Sequence, residues 1–141
     1  MVALLPRLAD YELPANRAPE MFWGSDAKLA RRWAEGNAPD SVIKVGCVDD
    51  VVKAAAIVTF NADHFSGERN AHLEAIVVAP DADGLGLGRQ LIDEMEQHAA
   101  DDGAQTMSLH VMGNNHRARH VYAQIGYGEE MIRAIKFLGV D

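Results

Sequence analysis

The chain has 141 residues, with 13 Lys and Arg against 21 Asp and Glu, for a formal charge of −8. That length suits one domain and buries roughly two thirds of the unfolded surface, so no disulfide or metal is needed to hold a core. A 48% hydrophobic, 24% charged composition excludes wholesale disorder, the acidic balance argues against a general nucleic-acid binder, and a lone Cys47 excludes an intrachain disulfide framework or a Cys-based zinc site.

No stretch reaches the roughly 18 apolar residues of a membrane span. Met1-Val2-Ala3-Leu4-Leu5-Pro6-Arg7 does not read as a secretory signal, so the expected location is the cytoplasm. No repeat or linker interrupts the chain, which reads as a single domain over 1–141.

Residues 1–25 mix apolar positions with Pro6, Pro14 and Pro19 and give no clear element. Met21-Phe22-Trp23 reads as a core cluster. Ser25 and Asp26 are candidate caps for a helix running to Gly36, with Leu29, Ala30 and Trp33 on its inner face. The β-branched runs 41–48 and 51–60 around Asp49-Asp50 predict a hairpin. Residues 61–70 read as a polar loop and 71–79 as a strand ending at Pro80. A glycine-rich loop follows, then a helix with Leu87, Leu91, Ile92, Met95 and Ala99 inward, stopped by Gly103. Residues 106–112 predict a strand. Asn114 or Asn115 then caps a helix with Ala118, Val121, Tyr122 and Ile125 on one stripe, ended by Gly126, and 131–138 predicts a last strand. This order makes a mixed α/β (α+β) layer fold with helices covering a sheet.

The chemical signal is the run Gly84-Leu85-Gly86-Leu87-Gly88-Arg89 between a strand and a helix. Glycine lets backbone N–H groups approach a ligand, and a helix start adds orphan donors, which together suit a phosphate or pyrophosphate. A tight turn needing positive φ is the other reading of the same residues. The alternating glycines fit neither a P-loop, which needs Gly-Lys-Ser/Thr, nor the dinucleotide pattern GxGxxG.

Two stretches resemble the signatures of the GCN5-related N-acetyltransferase (GNAT) family. Val77-Val78-Ala79-Pro80 followed by the glycine run resembles its acetyl-CoA motif, Arg/Gln-x-x-Gly-x-Gly/Ala. Asn115, Ala118, Tyr122, Gly126 and Tyr127 resemble its second motif, Asn-x-x-Ala-x-x-x-Tyr-x-x-x-Gly-aromatic. The resemblance covers about 41–138 and leaves 1–40 poorly matched. One position departs: Asp83 stands where the motif has Arg or Gln, and a carboxylate there adds repulsion toward a pyrophosphate.

The resemblance implies a mixed, mostly antiparallel twisted sheet, helices on both faces and a splay between two central strands. It implies acetyl-CoA as cosubstrate, with the pantetheine arm on the backbone of Ile76, Val77 and Val78 and the pyrophosphate on the amides of Gly84, Leu85, Gly86, Leu87, Gly88 and Arg89. It also implies Asn115 and Tyr122 as cofactor contacts, Tyr122 as proton donor to the leaving thiolate, and direct attack by a primary amine of a small molecule or peptide in a ternary complex.

Glu74, His110 and, more weakly, His72 are the candidate bases; strict strand alternation puts Glu74 on the face of Ile76 and Val78. A catalytically inactive acyl-CoA sensor or interaction module is the alternative that Asp83 keeps open. Dimers are common in the family, which leaves a homodimer open. No metal is expected: His116 and His120 have zinc-like spacing, but Arg117 stands where a metalloprotease has Glu, and no third ligand is evident. Cys47 reads as a buried filler, and Arg31, Arg32, Arg117 and Arg119 as solvated helix positions, with Arg89, Arg117 and Arg119 able to reach the cofactor's 3′-phosphate. Glu12, Glu20, Asp26 and Glu35 are acids available to attract a cation.

Overall fold

The two β-branched runs pair as β1 (Ser41–Val48) and β2 (Val51–Ala62), an antiparallel hairpin closed at Val48 and Val51. Asp49 and Asp50 both take left-handed backbone, φ 51° and 65°, as a turn matching the strands' right-handed twist requires. Glycine adopts this conformation without steric cost, so Asp50→Gly is expected to stabilise the protein by about 0.5–1 kcal/mol. Thermal denaturation of the variant checks this; an unchanged or lowered Tm contradicts it.

The computed structural model describes residues 1–139. Its first compact unit is Met1–His110. β2 runs antiparallel to β3 (Arg69–Val78), and β3 runs parallel to β4 (Thr106–Leu109), giving a mostly antiparallel sheet in the order β1-β2-β3-β4. The predicted 61–70 loop shrinks to 63–68, because β2 and β3 extend into it. There Asp63 accepts hydrogen bonds from the amides of Phe65 and Ser66 and from the Ser66 hydroxyl.

Helices lie on both faces. α1 (Gly24–Ala34) and a 3-10 helix (Val2–Ala9) cover one, where Leu5, Ala27, Ala30, Ala55, Ile57, Ala75 and Val77 form the core. α2 (Leu87–Asp101) covers the other with Leu91, Ile92, Met95 and Ala99, as its periodicity predicts. It starts close to the sheet: a Cβ on Gly88 would meet Val78 Cγ2 at 3.4 Å.

Several expectations are corrected. Ser25 and Asp26 lie inside α1 rather than capping it; Trp23 holds the cap position without a side-chain bond. The helix starts earlier than its caps suggested, which turns Asp26, Ala27 and Ala30 inward and leaves Trp33 42% exposed. Met21 is exposed, while Phe22 and Trp23 are half-buried, Phe22 edge-on to Tyr11. Cys47 is exposed, next to an irregularity at Gly46/Cys47 on the edge strand. β4 ends at Leu109 rather than residue 112.

The second unit is Val111–Asp141. It carries α3 (His116–Gln124), capped by Asn115, whose Oδ1 accepts from the Ala118 amide at 3.4 Å. Gly126, at φ 101°, follows the helix end. The predicted strand 131–138 is not formed: the segment pairs with no ladder among the described residues, and Met131, Ile132, Ile135 and Leu138 are exposed. Alternation allows extension, but only a hydrogen-bonded neighbour makes a strand.

Candidate active site

β3 and β4 pair only from Asn70–Thr106 to Leu73–Leu109. β3 continues to Val78 with no β4 neighbour, so the strands part beyond Leu73. On the other edge Ala79 N–H donates to Lys53 C=O. Antiparallel ladders alternate between hydrogen-bonded and non-hydrogen-bonded pairs. Val77 therefore turns its backbone groups to β2, whereas those of Ile76 and Val78 turn to the parted side. Of the three residues implied to meet a pantetheine arm, Ile76 and Val78 have the backbone for it and Val77 does not.

At the end of this strand the chain turns through Pro80–Ala82 into the glycine run. Gly84 and Gly86 take φ 83° and 79°, which explains glycine at both. Among the described residues the amides of Gly84, Gly86, Leu87, Gly88 and Arg89 make no backbone hydrogen bond, while that of Leu85 reaches Ala82 C=O at 3.3 Å. Such a row of free donors at the start of a fifteen-residue helix fits a pyrophosphate. Arg89 pairs with Asp93 at 2.9 Å along the exposed face of α2.

Asp83 is not an isolated negative charge. Arg7, from the N-terminal 3-10 helix, approaches it at 3.6 Å and donates from Nη1 to Val78 C=O at 2.6 Å, while its Nε lies 3.3 Å from Asp10. The guanidinium thus ties the end of β3 to the glycine loop and offsets the carboxylate where the motif has Arg or Gln. Lys53 does the same for Asp81, at 2.6 Å.

Glu74 occupies a bulge. Ile57 pairs with Ala75 and Val58 with Leu73, so Glu74 has no partner in β2. The extra residue breaks the alternation. Ala75 and Val77 sit in the α1-side core, Val78 faces α2, and the Glu74 carboxyl interacts electrostatically with Asp26 of α1. It therefore does not share the face of Ile76 and Val78, as strict alternation predicted. Asp26 is buried, 8% exposed as a residue. Burial, then the nearby Glu74 charge, push it up to about 7.

A polar network leads to His72. Thr106 Oγ1 donates to Asn70 Oδ1 at 2.8 Å, and Asn70 Nδ2 donates to Asn61 Oδ1 and to Ser108 Oγ, both at 2.9 Å. Ser108 Oγ lies 2.8 Å from His72 Nδ1. Because Asn70 donates into that hydroxyl, its proton is free for Nδ1, which assigns the neutral His72 its hydrogen at Nε2. Burial depresses the His72 pKa against the opposing pull of Glu74, and His110 pushes it down further. His110 is exposed, its ring 4.6 Å from that of His72. The structure thus groups Glu74, His72 and His110, and adds Asp26, Asn70 and Ser108, which no motif marked. The polar residues Asn70/His72/Glu74 of β3, and Thr106/Ser108 of β4 with His110 just past its end, alternate with Ala71/Leu73 and Met107/Leu109. That period-two signal was present in the sequence.

In the second unit, Asn115 caps the helix that bears Tyr122. The half-buried Tyr122 ring meets Tyr127 edge-on at 6.0 Å, and burial raises its phenol pKa. Arg119 bridges Glu129 at 2.7 and 3.0 Å and Gly113 C=O at 2.7 Å, so it is engaged within the unit. His116, Arg117 and His120 are exposed.

A model of the acetyltransferase (GNAT) family matches residues 6–127. A mycothiol acetyltransferase of Tsukamurella paurometabola is 39% identical over 54 residues, which are 38% of this chain and 18% of that protein. Among solved structures, one from Pyrococcus furiosus, provisionally assigned as an acetyl transferase, has TM-score 0.78 at 18% identity, covering 97% of this chain and 91% of that one. The ribosomal-protein-alanine N-acetyltransferase of Brucella melitensis biovar Abortus 2308 has TM-score 0.68 at 20% identity, with 96% and 90% covered. The glucosamine-6-phosphate N-acetyltransferase of Arabidopsis thaliana has 0.65 at 20% identity, with 97% and 88% covered. With the family model matching most of its length, and a mixed sheet whose β3 and β4 part beside a glycine loop, this chain belongs to the GNAT acetyltransferase family.

Proposed function

We propose that the protein transfers an acetyl group from acetyl-CoA to a primary amine of a small molecule or peptide, by direct attack in a ternary complex. The observation that carries this reading is the set of amides without a backbone acceptor in the glycine loop, at Gly84, Gly86, Leu87, Gly88 and Arg89, beside the parted end of β3. Acetyl-CoA supplies the acetyl group as an activated thioester. The loop amides hold its pyrophosphate, Ile76 offers both backbone groups to its arm, and the Val78 amide polarises the acyl oxygen. Glu74 takes the proton that the amine nitrogen must lose, as the C–N bond forms and the C–S bond breaks. Tyr122 gives its phenolic proton to the departing sulfur, and Asn115 contributes to the arm's binding.

Arg7 answers the objection raised by Asp83. Arg7→Met is expected to weaken acetyl-CoA binding about tenfold, the scale of a charge-assisted contact. Calorimetric titration checks this; unchanged affinity removes Arg7 from the account.

The reading itself is tested by titrating the protein with acetyl-CoA and with NAD, then following thiol release with an amine panel. One-to-one acetyl-CoA binding, no NAD binding and amine-dependent thiol release support it. Absence of acetyl-CoA binding sinks it. Binding without thiol release from any amine favours the inactive acyl-CoA sensor.

A further inference from the structure

We propose that the outer face of α1 is a docking surface for an acidic segment of a partner protein, an extended stretch with Asp or Glu at alternate positions. Its occupancy does not depend on acetyl transfer.

The first observation is a groove of about 560 Å³ along α1, lined by Ser25, Lys28, Arg31, Arg32 and Glu35. Residues 25, 28, 32 and 35 recur at helical spacing and form one stripe, with Arg31 beside it. All five residues are exposed, while Asp26, Ala27 and Ala30 of the same helix are buried.

The second is a set of cations with no counter-ion. Among the described residues no side chain pairs with or bonds to the side chains of Lys28, Arg31 or Arg32. Glu35 stands three and four residues past Arg32 and Arg31, the spacing of a helical ion pair, yet pairs with neither. By contrast Arg7, Lys53, Arg69, Arg89 and Arg119 each meet a carboxylate. The helix dipole favours Arg31 and Arg32 in the last turn. It does not account for Lys28, a turn earlier. With 21 acids against 13 Lys and Arg in the chain, a groove lined by three unpaired cations runs against the charge of the whole molecule.

The third is spacing. Lys28 and Arg32 are four residues apart, about 6 Å along the helix axis. An extended chain carries alternate side chains on one side, about 6.6 Å apart. Two acids separated by one residue therefore meet Lys28 and Arg32 together, with Arg31 beside the second. Each guanidinium can hold a carboxylate by two parallel N–H donations. A nucleic acid fits less well, because a formal charge of −8 repels a long polyanion. A short acidic segment meets only the local cations.

The test uses the full chain and fluorescence anisotropy. A labelled peptide with glutamate at alternate positions, its glutamine counterpart and a single-stranded oligonucleotide of equal charge are titrated separately. The proteins are the wild type, Arg31→Gln/Arg32→Gln and Arg133→Gln/Lys136→Gln. The two double variants lose equal charge, and all four side chains are exposed, so neither removes a buried contact. The glutamate peptide is expected to bind the wild type about tenfold more tightly than the glutamine peptide does. Arg31→Gln/Arg32→Gln should weaken it about tenfold, and Arg133→Gln/Lys136→Gln by less than about twofold. No binding of the glutamate peptide to the wild type, or equal affinity in the two double variants, overturns the groove. An oligonucleotide that binds as tightly as the glutamate peptide overturns the acidic segment as occupant. A wild-type dimer in sedimentation that Arg31→Gln/Arg32→Gln abolishes overturns it too, in favour of a second copy of the chain.

Discussion

Glu74→Gln is expected to lower kcat for acetyl transfer by about 10²–10³-fold, the usual range for removing a general base, while acetyl-CoA affinity stays within about twofold. The amide keeps the shape of the side chain but cannot accept a proton. The bulge leaves Glu74 out of the β2 ladder, so the substitution disturbs no strand register. His110 is the rival: it is exposed, with its ring 4.6 Å from that of His72 and tilted 59° to it. His110→Gln is therefore measured alongside. Collapse of kcat in His110→Gln, with Glu74→Gln near wild type, transfers the role to the histidine. His72 is a poor base as placed, because the hydroxyl of Ser108 occupies Nδ1 and Nε2 carries the proton.

The second large effect is on stability. Asp26 titrates at about 7 in the fold, against an ordinary 3.8. A raised carboxyl pKa means that the folded state binds the proton more tightly than the unfolded chain does. Its contribution is full below the unfolded value and is lost as pH rises from about 4 through about 7. The difference is on the order of 4 kcal/mol. Glu74 is the charged group that acts on Asp26 from β3, and at higher pH its carboxylate adds repulsion. Asp26→Asn removes the ionisation. At pH 8 it is expected to raise Tm by roughly 5–10 °C, and at pH 4 to leave it nearly unchanged. Calorimetric scans at the two pH values decide; a variant less stable than wild type at pH 8 would show that the ionised carboxylate stabilises the fold.

These two residues differ in how well the sequence announces them. Glu74 stands out as an acid in an apolar strand, but its face could not be read, because a bulge is set by pairing with β2 and not by the strand itself. Asp26 reads as a helix cap, since Ser-Asp before an apolar stripe has that meaning in isolation. Packing against the N-terminal 3-10 helix and the sheet turned it inward instead. Arg7 carries no local signal at all: its partners are Val78 and Asp83, more than seventy residues away in sequence.

Local chemistry settled the hairpin, α2, the glycine loop and a cap at Asn114 or Asn115, which the structure narrows to Asn115, because each depends on neighbours within a few residues: a turn's φ values, a helical stripe, an orphan amide. The two signature stretches also carried the family, through residues whose spacing is itself the motif. Long-range pairing settled the rest. The parting of β3 from β4, the bulge at Glu74, the burial of Asp26, the Arg7–Asp83 tie and the unformed 131–138 strand all depend on which backbone lies alongside which. Hydrogen-bonded pairing is a property of two segments, and neither segment's own residues encode it.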